Sequence, residues 1–129
     1  WLSRAAGLPV NRDLSAFGAP DVAAIRAALD PARDADALEA LTRNSPLSMA
    51  AGLAMVRAAR EDRRMQQSLS REFRFTARAT AESDFLEGVR AQIIDKDRAP
   101  AWSAPATPER VAALLAPLGA EELSWEDGQ

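Results

Sequence analysis

Ser83-Asp84-Phe85-Leu86-Glu87-Gly88-Val89-Arg90-Ala91-Gln92-Ile93-Ile94-Asp95-Lys96-Asp97-Arg98-Ala99-Pro100-Ala101-Trp102 is the stretch on which the reading of this chain turns. It has the marks of one short helix with a defined start and stop. Asp84 suits an N-cap, its carboxylate accepting a backbone N–H of the first turn, and Glu87 suits the returning half of a capping box. Phe85, Val89 and Ile93 fall at i, i+4 and i+8, with Leu86, Ala91 and Ile94 beside that stripe. Pro100 forbids continuation, so Trp102 lies on the chain leaving the helix. Gly88 costs about 1 kcal/mol relative to alanine inside a helix, which predicts close approach of another backbone.

Outward from this stretch the chain reads as all-α, with about five to six helices. Gly7, Pro9, Asn11 and Gly18 break up residues 1–19. Pro20 suits N1 of a helix running to about Leu29, with Val22, Ile25, Ala28 and Leu29 on one face, and Asp30-Pro31 ends it. A second helix is predicted from Asp34 to Arg43, with Leu38 and Leu41 inward. Ser45-Pro46 pairs an N-cap with a proline at N1 and opens a helix to Arg60 that is apolar nearly all round. That helix is the central core helix or, along its alanine side, one wall of a ligand groove. Glu61-Asp62 marks a break, and a long helix follows from Arg63 to Ala81. There Met65, Leu69, Phe73, Ala77 and Ala81 recur every four residues. Phe73–Thr80 also alternates like a strand, but no turn chemistry separates it from the helix-period residues before it. Thr107-Pro108-Glu109 opens a last helix with Val111, Leu114, Leu115 and Leu118 on its apolar face and Gly119 as its C′ stop. The divisions are therefore a leading segment with two short helices (1–44), core helices carrying the signature (45–102), and a linker, last helix and acidic tail (103–129).

The composition excludes several chemistries. With 129 residues the chain forms one domain, or one part of a larger one. Trp1 in place of Met reads as a fragment or a processed product. No cysteine and no histidine are present, so thiolate and imidazole catalysis and cysteine-ligated metal are absent from this chain. Metal ligation is not predicted anywhere in it. No apolar run approaches the roughly 18 residues of a membrane helix, and residues 1–10 are not a signal peptide, so a cytoplasmic location is the default. The net charge of −3 conceals a basic segment, Arg57–Arg78, at +4 and an acidic one, Glu109–Gln129, at −4. Either these halves attract each other or the basic one faces an anionic ligand. Nucleic acid is not expected as a partner, because no aromatics interleave with the arginines.

The run Asp84-Phe85-x-Glu87-Gly88-Val89-Arg90-Ala91, followed by Ile94-Asp95-Lys96-Asp97 and Pro100-x-Trp102, resembles the C-terminal signature of the 3-hydroxyisobutyryl-CoA hydrolases. These form a branch of the enoyl-CoA hydratase/isomerase (crotonase) superfamily. Asn44-Ser45-Pro46-x-Ser48 and Val10-Asn11-Arg12 are similar to the family's segments at the same relative places. The resemblance runs from about Leu8 to the end, and relatives acting on other acyl-CoA esters share these motifs. It implies the helical C-terminal region of a crotonase-like enzyme acting on an acyl-CoA thioester in valine breakdown. The expected partners are an N-terminal crotonase core that is missing here, the acyl-CoA substrate and further copies in a homo-oligomer. No cofactor is implied, coenzyme A being part of the substrate.

The resemblance also names candidate substrate-binding residues. Lys96, the sole lysine, stands near where a basic residue of similar proteins approaches the adenosine 3′-phosphate of coenzyme A; a salt bridge to a neighbouring acid is its alternative. Arg98, Arg90 and Trp102 are further candidates, Trp102 equally as a packing residue. Arg60, Arg64, Arg71, Arg74 and Arg78 form a stripe that is either solvated or an anion site for the coenzyme A phosphates. No residue is read as catalytic: Asp84 and Glu87 have the spacing of a helix start, and Ser45 and Ser48 have no base to activate them. The alternatives are the corresponding part of a hydratase or isomerase, or a self-standing helical module that self-associates.

Overall fold

The computed structural model describes residues 13–103 and 105–125, which fold into six α-helices with no strand among them. They are α1 (Val22–Ala28), α2 (Ala35–Arg43), α3 (Pro46–Ala59), α4 (Met65–Glu82), α5 (Phe85–Val89) and α6 (Pro108–Leu115). A π-helical turn, Arg90–Ile94, continues α5, and short 3₁₀ turns lie at Ser15–Gly18 and Gly119–Glu121. The Val10-Asn11-Arg12 segment and the last residues of the tail lie outside the described residues.

Helix starts follow local capping chemistry. The Ser45 hydroxyl accepts from the Ser48 N–H at 3.2 Å, with Pro46 at N1 of α3. Thr107 repeats the arrangement for α6, accepting from Arg110 N–H at 3.3 Å. In α1 the cap is Asp21, whose carboxylate accepts from Ala24 N–H at 2.8 Å, so the helix begins two residues after Pro20. The last helix stops earlier than its apolar face suggests. Ala116 precedes Pro117 and is extended, as a pre-proline residue prefers, which leaves Leu118 outside the helix. Gly119, with φ +63°, serves the following turn instead.

The core lies on either side of α3, which packs against α1, α4 and α6. Toward one end Ile25 and Leu29 of α1 join Ala16, with Leu38, Leu41 and Leu53 closing over them. Toward the other, Leu47 (0% exposed) meets Leu114 (2% exposed) among Phe75, Ala106 and Val111. The helix apolar nearly all round is thus the central one. Its far end is not covered, since Val56 is exposed.

Helix α4 reverses the usual arrangement. Met65 (76% exposed), Leu69 and Phe73 point outward, while the packed side carries Arg71, Phe75, Arg78 and Ala79. The arginines have partners there. Arg71 pairs with Asp62 at 2.8 Å, and Arg74 pairs with Glu122 at 2.8 Å. Arg78 donates to the carbonyls of Leu114, Ala116 and Pro117 at the end of α6. The basic and acidic halves therefore attract each other through Arg74 and Glu122. Replacing Leu114 with alanine should cost about 2–5 kcal/mol by opening a cavity beside Leu47. Met65→Gln, on the open side, should stay within about 0.5 kcal/mol of the parent. Urea denaturation of both variants checks the contrast.

Candidate functional site

An open cleft of about 720 Å³ lies between the start of α3, helix α5 with its π turn, and the strap of residues 95–103 that follows. That volume is within the usual range for a small-molecule site. Met49, Phe85, Val89 and Ile93 give it an apolar wall, and Arg43, Arg98 and Trp102 form its opposite rim.

Asp84 holds the cleft's inner edge together, though not in the way its spacing suggests. Its carboxylate makes no cap bond to α5. One oxygen accepts from the Ser45 hydroxyl at 2.7 Å, and the other from the Ser103 N–H at 3.2 Å and its hydroxyl at 3.4 Å. The carboxylate is buried (5% exposed) and ties the start of α3 and the strap to the start of α5. The Ser83 hydroxyl takes over the local role, accepting from Phe85 N–H at 3.2 Å. Glu87 does not close a capping box either. It accepts from Ala101 N–H at 2.7 Å and from Arg90 at 2.8 and 2.9 Å.

The expected apolar stripe of this helix is also displaced. Asp95 N–H bonds to the Arg90 carbonyl at 2.8 Å, an i→i+5 bond that widens the turn. The 3.6-residue phase is lost there, and Ile93 (64% exposed) and Ile94 remain uncovered. Behind Gly88 lies the Trp102 ring, not a second backbone: a Cβ on Gly88 would stand 3.6 Å from Cη2. The indole N–H donates to the Arg43 carbonyl at 3.0 Å, which fixes the ring across the cleft mouth.

Of the four candidate binding residues, Arg98 and Trp102 line the cleft. Arg90 lies behind it, engaged by Glu87, by Asp95 at 2.6 Å, by Asp97 at 2.7 Å and by the Ala99 carbonyl at 3.3 Å. Lys96 is exposed on the strap, and the two acids flanking it pair with Arg90. Lys96 and Arg98 both hold left-handed backbone, φ 56° and 55°. Arg43 and Met49 were not legible as cleft residues, because only the fold brings them to Trp102. The Asp84–Ser45 bond left a partial signal: both residues stand at helix starts, but 39 positions apart.

All these residues fall within 13–116, the part of the chain matched by the family model for enoyl-CoA hydratase/isomerase. The chain belongs to this family. Among relatives in the enoyl-CoA hydratase/isomerase family, it is 39% identical over 71 residues to 3-hydroxyisobutyryl-CoA hydrolase-like protein 1, mitochondrial, of Arabidopsis thaliana, covering 53% of this chain and 18% of that protein. It is 37% identical over 75 residues to 3-hydroxyisobutyryl-CoA hydrolase, mitochondrial, of Gallus gallus, covering 58% of this chain and 19% of the relative. The match thus spans under a fifth of the length of these relatives. A crystal structure described as an enoyl-CoA hydratase from Rhodobacter sphaeroides 2.4.1 superposes over 96% of this chain and 44% of its own, with a TM-score of 0.76 and 38% identity.

The charges on the strap carry a pH dependence. The Arg90 guanidinium, and then the Ala101 N–H, hold Glu87 down from 4.5 to about 2. Arg90 and the Ala99 N–H lower Asp97 likewise. Asp95 is the other acid facing that guanidinium. A depressed folded-state pKa stabilises above the ordinary value and loses that contribution as pH falls through the folded one. Trp102 emission, read in a chain carrying Trp1→Phe and Trp125→Phe, should therefore shift as pH falls from 4.5 toward about 2. Glu87→Gln should show the low-pH emission already at neutral pH.

Proposed function

We propose that this chain is the C-terminal helical part of a 3-hydroxyisobutyryl-CoA hydrolase-like thioesterase of valine breakdown. It covers the acyl-CoA site and packs against an N-terminal crotonase core, with no catalytic residue of its own. The observation that carries the reading is the cleft, where an apolar wall of Met49, Phe85 and Ile93 faces Arg43 and Arg98. Such a surface suits an elongated ligand with an apolar acyl and pantetheine portion and an anionic end. The hydrolase names of the relatives at 37–39% identity support the thioester reaction. Exposed Met65, Leu69 and Phe73 on α4 support packing against the core or another copy in a homo-oligomer.

In this role Arg98 and Trp102 meet the substrate directly, while Arg90 and Lys96 do not line the cleft. The second reading is the same part of an enoyl-CoA hydratase, favoured by the 38% identity to a solved hydratase across 96% of the chain. The purified chain should release no thiol from 3-hydroxyisobutyryl-CoA. Adding it to the Gallus gallus hydrolase from which the matching region has been removed should restore release. Turnover by the chain alone would overturn the proposal, and restored hydration of crotonyl-CoA in place of thiol release would favour the second reading.

A further inference from the structure

The strap of residues 95–103 has no regular secondary structure and is held chiefly by side chains. Arg90 reaches three points along it, the Asp95 and Asp97 carboxylates and the Ala99 carbonyl, and grips Glu87 with a two-pronged contact. Glu87 in turn holds Ala101 N–H, immediately before Trp102. The strap's two left-handed residues, Lys96 and Arg98, occupy a backbone region that side chains other than glycine's rarely adopt. A segment bent in this way persists only where its surroundings over-determine it. Here the surroundings are one guanidinium and the carboxylates around it.

We propose that Arg90 is a positioning residue: it clips the strap to the π turn and so keeps Arg98 and Trp102 at the cleft, without meeting a ligand itself. The clip stands on the geometry of the strap; only its consequence for a ligand rests on the acyl-CoA reading. Arginine suits the task because its planar fork serves several acceptors at once, whereas a lysine in its place would keep the charge but serve fewer of them.

Lys96 supplies the readout. It is the sole lysine, so a lysine-specific endoproteinase cuts the chain at one bond, in the middle of the strap. Cleavage requires the strap to open, and its rate reports how often it does so. Arg90→Gln should raise the rate at Lys96 by about tenfold or more, with Arg90→Lys between it and the parent. Arg60→Gln, the same change of charge at the end of α3, should leave the rate within about twofold. Trypsin digestion with mass mapping separates local opening from general loosening. In Arg90→Gln the early cuts should fall at Lys96 and Arg98, while Arg57 in α3 and Arg74 in α4 stay protected. An unchanged rate at Lys96, or one that rises together with cutting in α3 and α4, would overturn the clip. Coenzyme A titrated against the parent, followed by Trp102 emission in the Trp1→Phe, Trp125→Phe background, tests the ligand reading separately. No response there would refute the acyl-CoA reading and leave the proteolysis result standing.

Discussion

The arrangement depends on a buried carboxylate. Asp84 sits where α4 gives way to α5, and it joins the start of α3 to the end of the strap through Ser45 and Ser103. A buried charge without partners is costly, and hydrogen bonds to a charged group contribute about 1.5–3 kcal/mol each. The three segments therefore have to arrive together, since leaving any one out strands the carboxylate. The cleft is the space that remains once they have met. Its inner edge is fixed by polar contacts and its wall by Phe85 and Val89, the first of which is half open to solvent.

Elsewhere arginine does much of what a larger core would do. Arg57 donates to the carbonyls of Ala19 and Pro20, Arg78 to those closing α6, and Arg110 to the carbonyl of Glu82. The last carbonyls of a helix have no partner within it, and a multi-pronged donor from a neighbouring element satisfies several at once. This accounts for a chain in which fifteen of sixteen basic residues are arginine. It also accounts for α4, whose arginines face its neighbours while Met65 and Phe73 face away.

Local chemistry was legible from the residues alone. Ser45-Pro46 and Thr107-Pro108 start helices because the cap and its acceptor lie within one turn. The all-helical class followed from the 3.6-residue periods, and Phe73–Thr80 is helical despite its strand-like alternation. What escaped is non-local. Asp84 and Glu87 have the spacing of a capping box, but Ser45, Ser103 and Ala101 outcompete the backbone of their own helix. Periodicity identified the Met65–Phe73 stripe without saying whether it faces in or out. It also assumed a constant turn through Ile93, where one i→i+5 bond breaks the phase. The cleft was only half visible: Arg98 and Trp102 lie in the signature itself, but Arg43 and Met49 come from more than forty residues upstream.

The π turn at Arg90–Ile94 has an evolutionary corollary. Such a turn is an α-helix carrying one surplus residue, so losing a single codon there would restore regular winding and rotate everything downstream by about 100°. The indole now lying across Gly88 would swing to another side of the molecule, and the rim would go with it. A lineage could thus open or abolish this recess by one insertion or deletion, leaving every other helix as it stands.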